Sequence, residues 1–145
     1  WTYDNTWFWG AAQGCAFDES GACHRFGMNI GYGFGDTSAA SENMLFCDGC
    51  ATKLGRLDFG IPVRDGFYSL MEPWRMRDDE GMFDLTFTPD IDRADYTHVG
   101  PILTDQHQVF GLYDGRVTVE GEDGGPVTLE VRGLRGFAEV VHNKY

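Results

Sequence analysis

Apolar and polar residues alternate through the clearest segments of this sequence, and this period of two constrains the fold more than any other feature. The alternation runs over residues 116–120 and again over residues 127–132, as in strands with one buried face. Residues 121–126 between them are polar and rich in glycine, which predicts an antiparallel hairpin. No long stretch has a helical repeat. We therefore predict an all-β chain, an antiparallel meander that forms a barrel or half-barrel.

Further strands and turns are predicted along the rest of the chain. Residues 83–87 alternate in the same way, and Arg75 and Arg77 are expected to face Asp84 across a second hairpin. Residues 134–142 are predicted to form a final strand. Asp-Gly pairs supply the positive φ angles of tight turns, and they occur at Asp48-Gly49, Asp65-Gly66 and Asp114-Gly115.

The charge of the chain excludes two classes of partner. Its 11 Lys and Arg residues against 23 Asp and Glu residues give a formal net charge of −12 at pH 7, and such an acidic surface repels nucleic acid and anionic lipid. The sequence has no long apolar run, so no membrane span is expected. Its length of 145 residues predicts a single domain over residues 1–145.

A strand of unusual composition favours a barrel with an interior space. In residues 26–35, bulky apolar side chains alternate with a face that carries glycine and Asn29. Glycine in a strand marks strong curvature or the close approach of another group. We predict that this face looks into the interior, where Asn29, Gly31 and Gly33 line a site for a hydrophobic molecule. The alternative is that indoles such as Trp9 lie across the glycines and fill that space.

Several blocks of sequence together resemble a bacterial family. They span nearly the whole chain and are TWFWGAA, GMNIGYGFGDTSAASENMLFCDG, IPV, PWRM, the pair Asp92-Arg93, HQVFG and GFAEVV. They resemble the C-terminal part of the domain of unknown function 2804 family. That family is similar in turn to a lipocalin-like group that includes hydroxyneurosporene synthases, tocopherol cyclases and fungal Diels–Alderases. The resemblance implies a lipocalin-like (calycin-type) β-barrel that forms the C-terminal half of a longer protein with two barrels, and an isomerase, hydratase or cyclase activity.

The four cysteines allow three arrangements. Cys47 and Cys50 form a C-x-x-C pair that would complete a tetrahedral zinc site with Cys15 and Cys23, the second of which precedes His24. A disulfide is another arrangement. Reduced thiols in a cytoplasmic protein without a cofactor are the expected state, because a core of this size needs no covalent cross-link.

Three residues are candidates for acid–base chemistry. Glu42 leads into an apolar strand, where desolvation at a barrel mouth would raise the pKa of its carboxyl. Asp105 and His107 share a face if the strand has begun by residue 105, and the carboxylate would then orient the imidazole. The alternative roles are structural: Glu42 and Asn43 would satisfy backbone groups in a loop, and His107 would be hydrogen-bonded in a turn.

Aromatic residues complete the predicted ligand site. Trp9, Trp74 and Tyr113, together with Asn43, are predicted to line it, although aromatic side chains equally fill ordinary cores. The leading hypothesis for function is the binding of a hydrophobic small molecule. The alternatives are a structural or interaction half-domain, which packs on a partner domain or on a second copy of itself, and a small zinc-stabilised β-domain.

Overall fold

The computed structural model of the chain describes residues 3–33 and 43–145. Because these residues contain no helix, none of them forms an apolar helix of membrane-spanning length. The prediction of an all-β chain is confirmed. The described residues form eleven strands, which are β1 (Asp4–Phe17), β2 (Cys23–Tyr32), β3 (Met44–Cys47), β4 (Cys50–Lys53), β5 (Leu57–Asp58), β6 (Val63–Arg64), β7 (Phe67–Tyr68), β8 (Trp74–Asp78), β9 (Phe83–Val99), β10 (Ile102–Glu120) and β11 (Pro126–Lys144).

Nine of the strands form one antiparallel sheet. Their order is β4-β3-β2-β1-β11-β10-β9-β8-β5, and β6 pairs with β7 in a separate hairpin. The first strand therefore lies beside the last one, because β1 pairs with both β2 and β11. The sheet curls through 275°, so the half-barrel form of the predicted fold is confirmed.

Two of the three predicted Asp-Gly turns are confirmed. Asp48 and Asp65 have φ angles of 48° and 52° and lie in the turns that join β3 to β4 and β6 to β7. The turn predicted at Asp114 and Gly115 is wrong, because both residues lie inside β10, where its register against β11 shifts. Glycine is required at position 115 because a Cβ there would overlap the backbone carbonyl of Asp84 on β9.

The predicted hairpin before residue 88 is confirmed as β8 and β9. Arg75 Nη2 lies 3.2 Å from Asp84 Oδ2 on the solvent-exposed face of this hairpin. The predicted C-terminal strand is also confirmed, as the second half of β11. The local period of two therefore identified strands from both the middle and the end of the chain.

The apolar core fills the inner face of the curled sheet. Its largest fully buried side chains include Trp74, Phe83, Phe87, Tyr113 and Ile30. Removing apolar surface from water stabilises a fold by about 25 cal/mol for each Å², so bulky aromatic side chains contribute most. Alternate residues are consequently buried in the first part of β8, at Trp74 and Met76, and in the first part of β9, at Phe83, Leu85 and Phe87.

The predicted orientation of the glycine-rich strand is wrong. The side chains of β2 that point into the core are Phe26, Met28 and Ile30. The alternating face, with Asn29 and Gly31, is therefore the outer face of the sheet. Glycine has no side chain to bury, whereas the bulky residues gain free energy inside. Trp9, the cross-strand partner of Gly31, donates a hydrogen bond from Nε1 to Asn29 Oδ1 at 2.6 Å, so an indole covers part of this face on the outside of the sheet.

Candidate functional site

A cleft of about 890 Å³ lies where the segment 56–61 and strand β7 approach β1 and β2. Its aromatic wall consists of Phe8 of β1, Tyr32 of β2, Phe59 and Tyr68 of β7. The Phe8 ring stacks on the Phe59 ring with centroids 5.5 Å apart and meets the Tyr68 ring edge-on at 5.9 Å. The cleft therefore offers aromatic surface from four separate parts of the chain.

Polar groups line the rest of the cleft. Arg56 Nη2 donates a hydrogen bond of 2.6 Å to the Tyr32 hydroxyl. Asp78 Oδ1 accepts hydrogen bonds from the backbone N–H groups of Met82 at 2.9 Å and Phe83 at 3.0 Å. Asp78 Oδ2 is buried and has no hydrogen-bond partner among the described residues. Buried acceptors are normally paired, so this oxygen is an exception, and because it is buried it does not face the open cleft.

The segment 56–61 is held against β8 by a glycine. Gly60 has a φ angle of 58°, in the left-handed region, and a Cβ at this position would overlap the backbone carbonyl of Arg75. The Gly60 N–H donates a hydrogen bond of 2.9 Å to Asp58 Oδ1, which tightens the bend. This close approach buries Phe59, which is 5% exposed, and so shapes one side of the cleft.

His107 is held between two carboxylates. The prediction that Asp105 and His107 share a face is confirmed, with Asp105 Oδ1 3.2 Å from His107 Nε2. Asp92 of β9 is a second partner, with Oδ2 2.8 Å from His107 Nδ1. Sequence reasoning missed Asp92. The sequence signal for this contact was the turn at Gly100 and Pro101. When β9 and β10 pair outward from that turn, residue 92 lies diagonally opposite residue 107.

The register of the sheet relates His107 to the cleft. Tyr32 pairs with Phe8, Phe8 pairs with Val140, and Val140 pairs with His107. Directly paired residues of neighbouring strands have side chains on the same face of a sheet. The imidazole therefore lies on the inner face, in the cross-strand row that begins with two aromatic side chains of the cleft.

Three of the residues predicted to bind the ligand, Asn43, Trp74 and Tyr113, make buried contacts within the fold, and none of the three lines the cleft. Asn43 is buried, accepts a hydrogen bond from the Gly31 N–H at 2.6 Å and donates one to the Gly55 carbonyl at 2.9 Å. Trp74 donates from Nε1 to the Leu70 carbonyl at 2.8 Å. The two Asn43 contacts join β2 to the segment after β4, and the Trp74 contact joins β8 to the segment that precedes it. The structural alternative for Asn43 is therefore supported by its contacts.

Tyr113 is likewise a core residue. Its hydroxyl donates a hydrogen bond of 2.8 Å to the Phe137 carbonyl, and burial raises the pKa of the phenol well above its usual range. Trp9, Asn29 and Gly31 lie on the outer side of the sheet. Ligand binding by these residues and by Gly33 stays a prediction. Glu42, the predicted acid, lies outside the described residues.

The cysteines divide into two pairs. Cys15 of β1 and Cys23 of β2 form a disulfide, so reduced thiols were the wrong expectation for these two. The β1–β2 register places them diagonally across the hairpin with Cα atoms 5.7 Å apart, a usual separation for a disulfide. Cys47 and Cys50 are free. The four cysteines therefore do not form one site with four thiolates. The prediction of a cytoplasmic location rested on reduced thiols, and the disulfide removes that argument.

The β9–β10 hairpin exposes apolar side chains that do not line the cleft. They belong to Ile91, Tyr96, Val99 and Ile102, each at least 49% exposed. No residue within the described ranges 3–33 and 43–145 covers them. The alternative function of an interaction domain that packs on a partner or on a second copy stays a prediction.

Glu139 is a buried carboxyl that sequence reasoning passed over. It is only 4% exposed, and its Oε1 accepts a hydrogen bond of 2.6 Å from Gln106 Nε2. Burial raises the pKa of this carboxyl, and the Gln106 hydrogen bond opposes that change only in part. A glutamate inside the apolar run of residues 137–141 was the available signal.

We expect the Glu139→Gln substitution to stabilise the domain at neutral pH and to leave its stability unchanged near pH 4. The folded-state pKa lies above the unfolded value of 4.5, so the wild type loses stability as the pH rises from that value through the folded pKa. Glutamine carries no charge and can still accept from Gln106. The expected rise in Tm at pH 7 is roughly 2–4 °C, which about 1 kcal/mol produces in a domain of this size. Thermal melts across this pH range measure it.

Glu130→Gln is the matched control on the same strand. Its carboxyl is solvent-exposed, and its hydrogen bond to Arg132 lowers its pKa. The control should therefore not gain stability at pH 7. If the two substitutions changed the Tm at pH 7 equally, the conclusion that burial of the Glu139 carboxylate destabilises the domain would be contradicted.

Comparisons with known proteins place the chain in a family. Searches of the curated proteins and of the solved structures give no match. A family model described as a domain of unknown function (DUF2804) matches residues 1–145. The finer resemblances, to the C-terminal part of the family and to lipocalin-like enzymes, stay predictions. Because the family match covers the whole chain, the protein belongs to the DUF2804 family.

Proposed function

We propose that this domain binds an apolar, ring-containing small molecule in the cleft between Phe8, Tyr32, Phe59 and Tyr68. The observation that carries the proposal is the aromatic wall around a space of about 890 Å³. Small-molecule sites typically occupy ~300–1,000 Å³ and are lined mainly by apolar and aromatic side chains. Aromatic rings from separate elements favour a flat ligand, because they provide offset-stacked and edge-on contacts.

The polar lining supports a ligand with one hydrogen-bond donor. Asp58 and Asp79 line the cleft, and both side chains are exposed. Their carboxylate oxygens can accept a hydrogen bond from a hydroxyl or amino group on the ligand. Arg56 and Arg77 at the same cleft are accompanied by Asp58 and Asp79, so the lining does not favour a strongly anionic ligand.

Acid–base chemistry at His107 is an extension of the proposal that applies to a ligand long enough to reach along the sheet from the cleft, because His107 does not itself line the cleft. The imidazole contacts Asp92 and Asp105 and shares a cross-strand row with Phe8 and Tyr32. A histidine held by carboxylates is suited to take up and return a proton. Within this extension, His107 is the proton-transfer group and the two carboxylates orient it.

Titration of the domain with Nile red, a neutral fluorescent ring compound, tests the binding proposal. We expect Tyr68→Ala to weaken binding roughly 5- to 30-fold, because the loss of an aromatic contact costs about 1–2 kcal/mol. Tyr68 is 49% exposed, so the variant should keep its fold. The dissociation constant from fluorescence and the Tm are both measured.

Phe67→Ala is the control for this experiment. Phe67 precedes Tyr68 on β7 and is 77% exposed, but it is not part of the cleft lining. Its substitution should leave the affinity unchanged. Equal losses in the two variants, or no loss in Tyr68→Ala, would show that the probe binds elsewhere.

A further inference from the structure

A second cluster of reactive side chains lies where β2 meets the turn between β3 and β4. The ligand atoms of His24, Cys47 and Asp48 all lie within 4.8 Å of one another. Imidazole nitrogen, thiolate sulfur and carboxylate oxygen are the donors that proteins use to bind zinc. The Cys47 thiol is free. The cluster therefore combines three different zinc-binding groups at one place.

Backbone hydrogen bonds fix this cluster. Asp48 and Gly49 form the tight turn, with φ angles of 48° and 84°. The Asp48 N–H donates to the Arg25 carbonyl at 2.9 Å, and the Arg25 N–H donates back to Asp48 Oδ1 at 3.0 Å. This reciprocal pair fastens the turn beside His24, so the ligand positions are set by the fold itself.

Asp18 orients the imidazole of His24. Asp18 Oδ2 lies 2.7 Å from His24 Nε2, while its Oδ1 accepts from the backbone N–H groups of Ser20 at 2.9 Å and Ala22 at 3.0 Å. The other ring nitrogen, Nδ1, is on the side of Asp48, 2.6 Å from Oδ2. Histidines that bind a metal through one nitrogen usually donate the other N–H to a carboxylate. Asp18 and His24 have this arrangement, with Nδ1 directed toward the cluster.

Cys50 is the second free thiol at this turn. It is the cross-strand partner of Cys47 and is exposed. Two cysteines separated by two residues commonly supply two sulfurs to one zinc ion. We propose that His24, Cys47 and Asp48 bind a thiophilic divalent cation of the zinc class and that Cys50 supplies the fourth ligand. The site uses neither Cys15 nor Cys23, whose sulfurs are joined to each other.

Titration of the whole chain with Co²⁺ under anaerobic conditions tests this proposal. Tetrahedral Co²⁺ bound by thiolate has intense near-ultraviolet absorption and strong visible bands, which Co²⁺ in water lacks. We expect one equivalent of Co²⁺ to produce both signals and Zn²⁺ to displace it. Cys47→Ser and His24→Asn should each weaken binding roughly tenfold or more, and Cys47→Ser should also reduce the thiolate band.

Two further variants separate the roles of the neighbouring residues. Asp18→Asn should weaken binding about 10- to 100-fold, as other groups that support a ligand do, while the thiolate band of the saturated protein remains. Cys50→Ser should lower both the affinity and the band. His98→Asn, an exposed histidine elsewhere on the chain, is the control and should change neither.

The outcomes that overturn the proposal are specific. Absence of the thiolate band, or unchanged affinity in Cys47→Ser and His24→Asn, removes the site. Unchanged affinity in Cys50→Ser removes the assignment of the fourth ligand. Each variant is first shown to keep the Tm of the metal-free wild type, and Cys47→Ser is a mild change beside an exposed turn.

Discussion

Gly60→Ala should destabilise the domain by about 3 kcal/mol or more and abolish Nile red binding in the cleft. Alanine at a φ angle of 58° is strained, and its Cβ would overlap the backbone carbonyl of Arg75. Neither the glycine nor the carbonyl can move without displacing the segment 56–61 from β8. Because this segment contributes Phe59 to the aromatic wall, stability and binding are expected to fall together. Urea unfolding and fluorescence titration measure the two effects.

Gly66→Ala separates the two causes. Gly66 also has a positive φ angle, of 82°, but a Cβ there would meet no atom within 4 Å. This variant should therefore lose only the cost of the left-handed conformation, about 1–2 kcal/mol, and should still bind the probe. If the two variants lost equal stability, the close approach of Gly60 to β8 would have no energetic importance.

Trp74→Ala should cost about 3–5 kcal/mol, the usual range for truncating a fully buried aromatic residue. The Trp74 side chain is 0% exposed, its indole donates to the Leu70 carbonyl at 2.8 Å, and its ring meets Phe87 edge-on at 5.3 Å. The variant loses all these contacts and leaves a cavity in the apolar core. A fall in Tm of about 10 °C or more is expected, and urea unfolding gives the corresponding free energy.

Arg75→Ala is the neighbouring control for Trp74. Arg75 points to the opposite face of β8, where its guanidinium pairs with Asp84 in solvent at 3.2 Å. Exposed ion pairs contribute at most about 1 kcal/mol, so the control should remain close to the wild type. A large loss in Arg75→Ala would mean that β8 depends on its outer face as much as on the core.

The strands could be predicted from the sequence because each depends on local alternation. Residues 116–120 and 127–132 lie in β10 and β11, as their period required. The Asp-Gly pair at Asp114 was wrongly predicted to form a turn, because this dipeptide indicates a local backbone conformation and does not by itself show that the chain reverses direction. Inside β10 that conformation accommodates a shift in the register with β11, at a point where the β10 backbone lies close to Asp84 of β9.

The inner face of β2 could not be assigned from the strand alone. Alternation shows that residues 26–35 have two different faces, but the choice between them depends on which face is bulky enough to fill a core. The structure places Phe26 and its alternating neighbours inside. The aromatic cleft was missed for a related reason, because Phe8, Phe59 and Tyr68 meet through contacts between distant parts of the chain. His107 and Asp105 were predictable because two positions on one strand suffice to bring them together.

The position of β11 between β1 and β10 sets the order in which this sheet can be assembled during synthesis. Pairing of β1 with β2 requires only residues 4–32, and pairing of β9 with β10 requires only residues 83–120. The strand that joins these two parts, β11 at residues 126–144, is synthesised after both of them. Until then the backbone groups along one side of β1 lack their β11 partners, and such an open edge readily pairs with other chains. A nascent chain of this protein therefore depends on β11 to cover that edge.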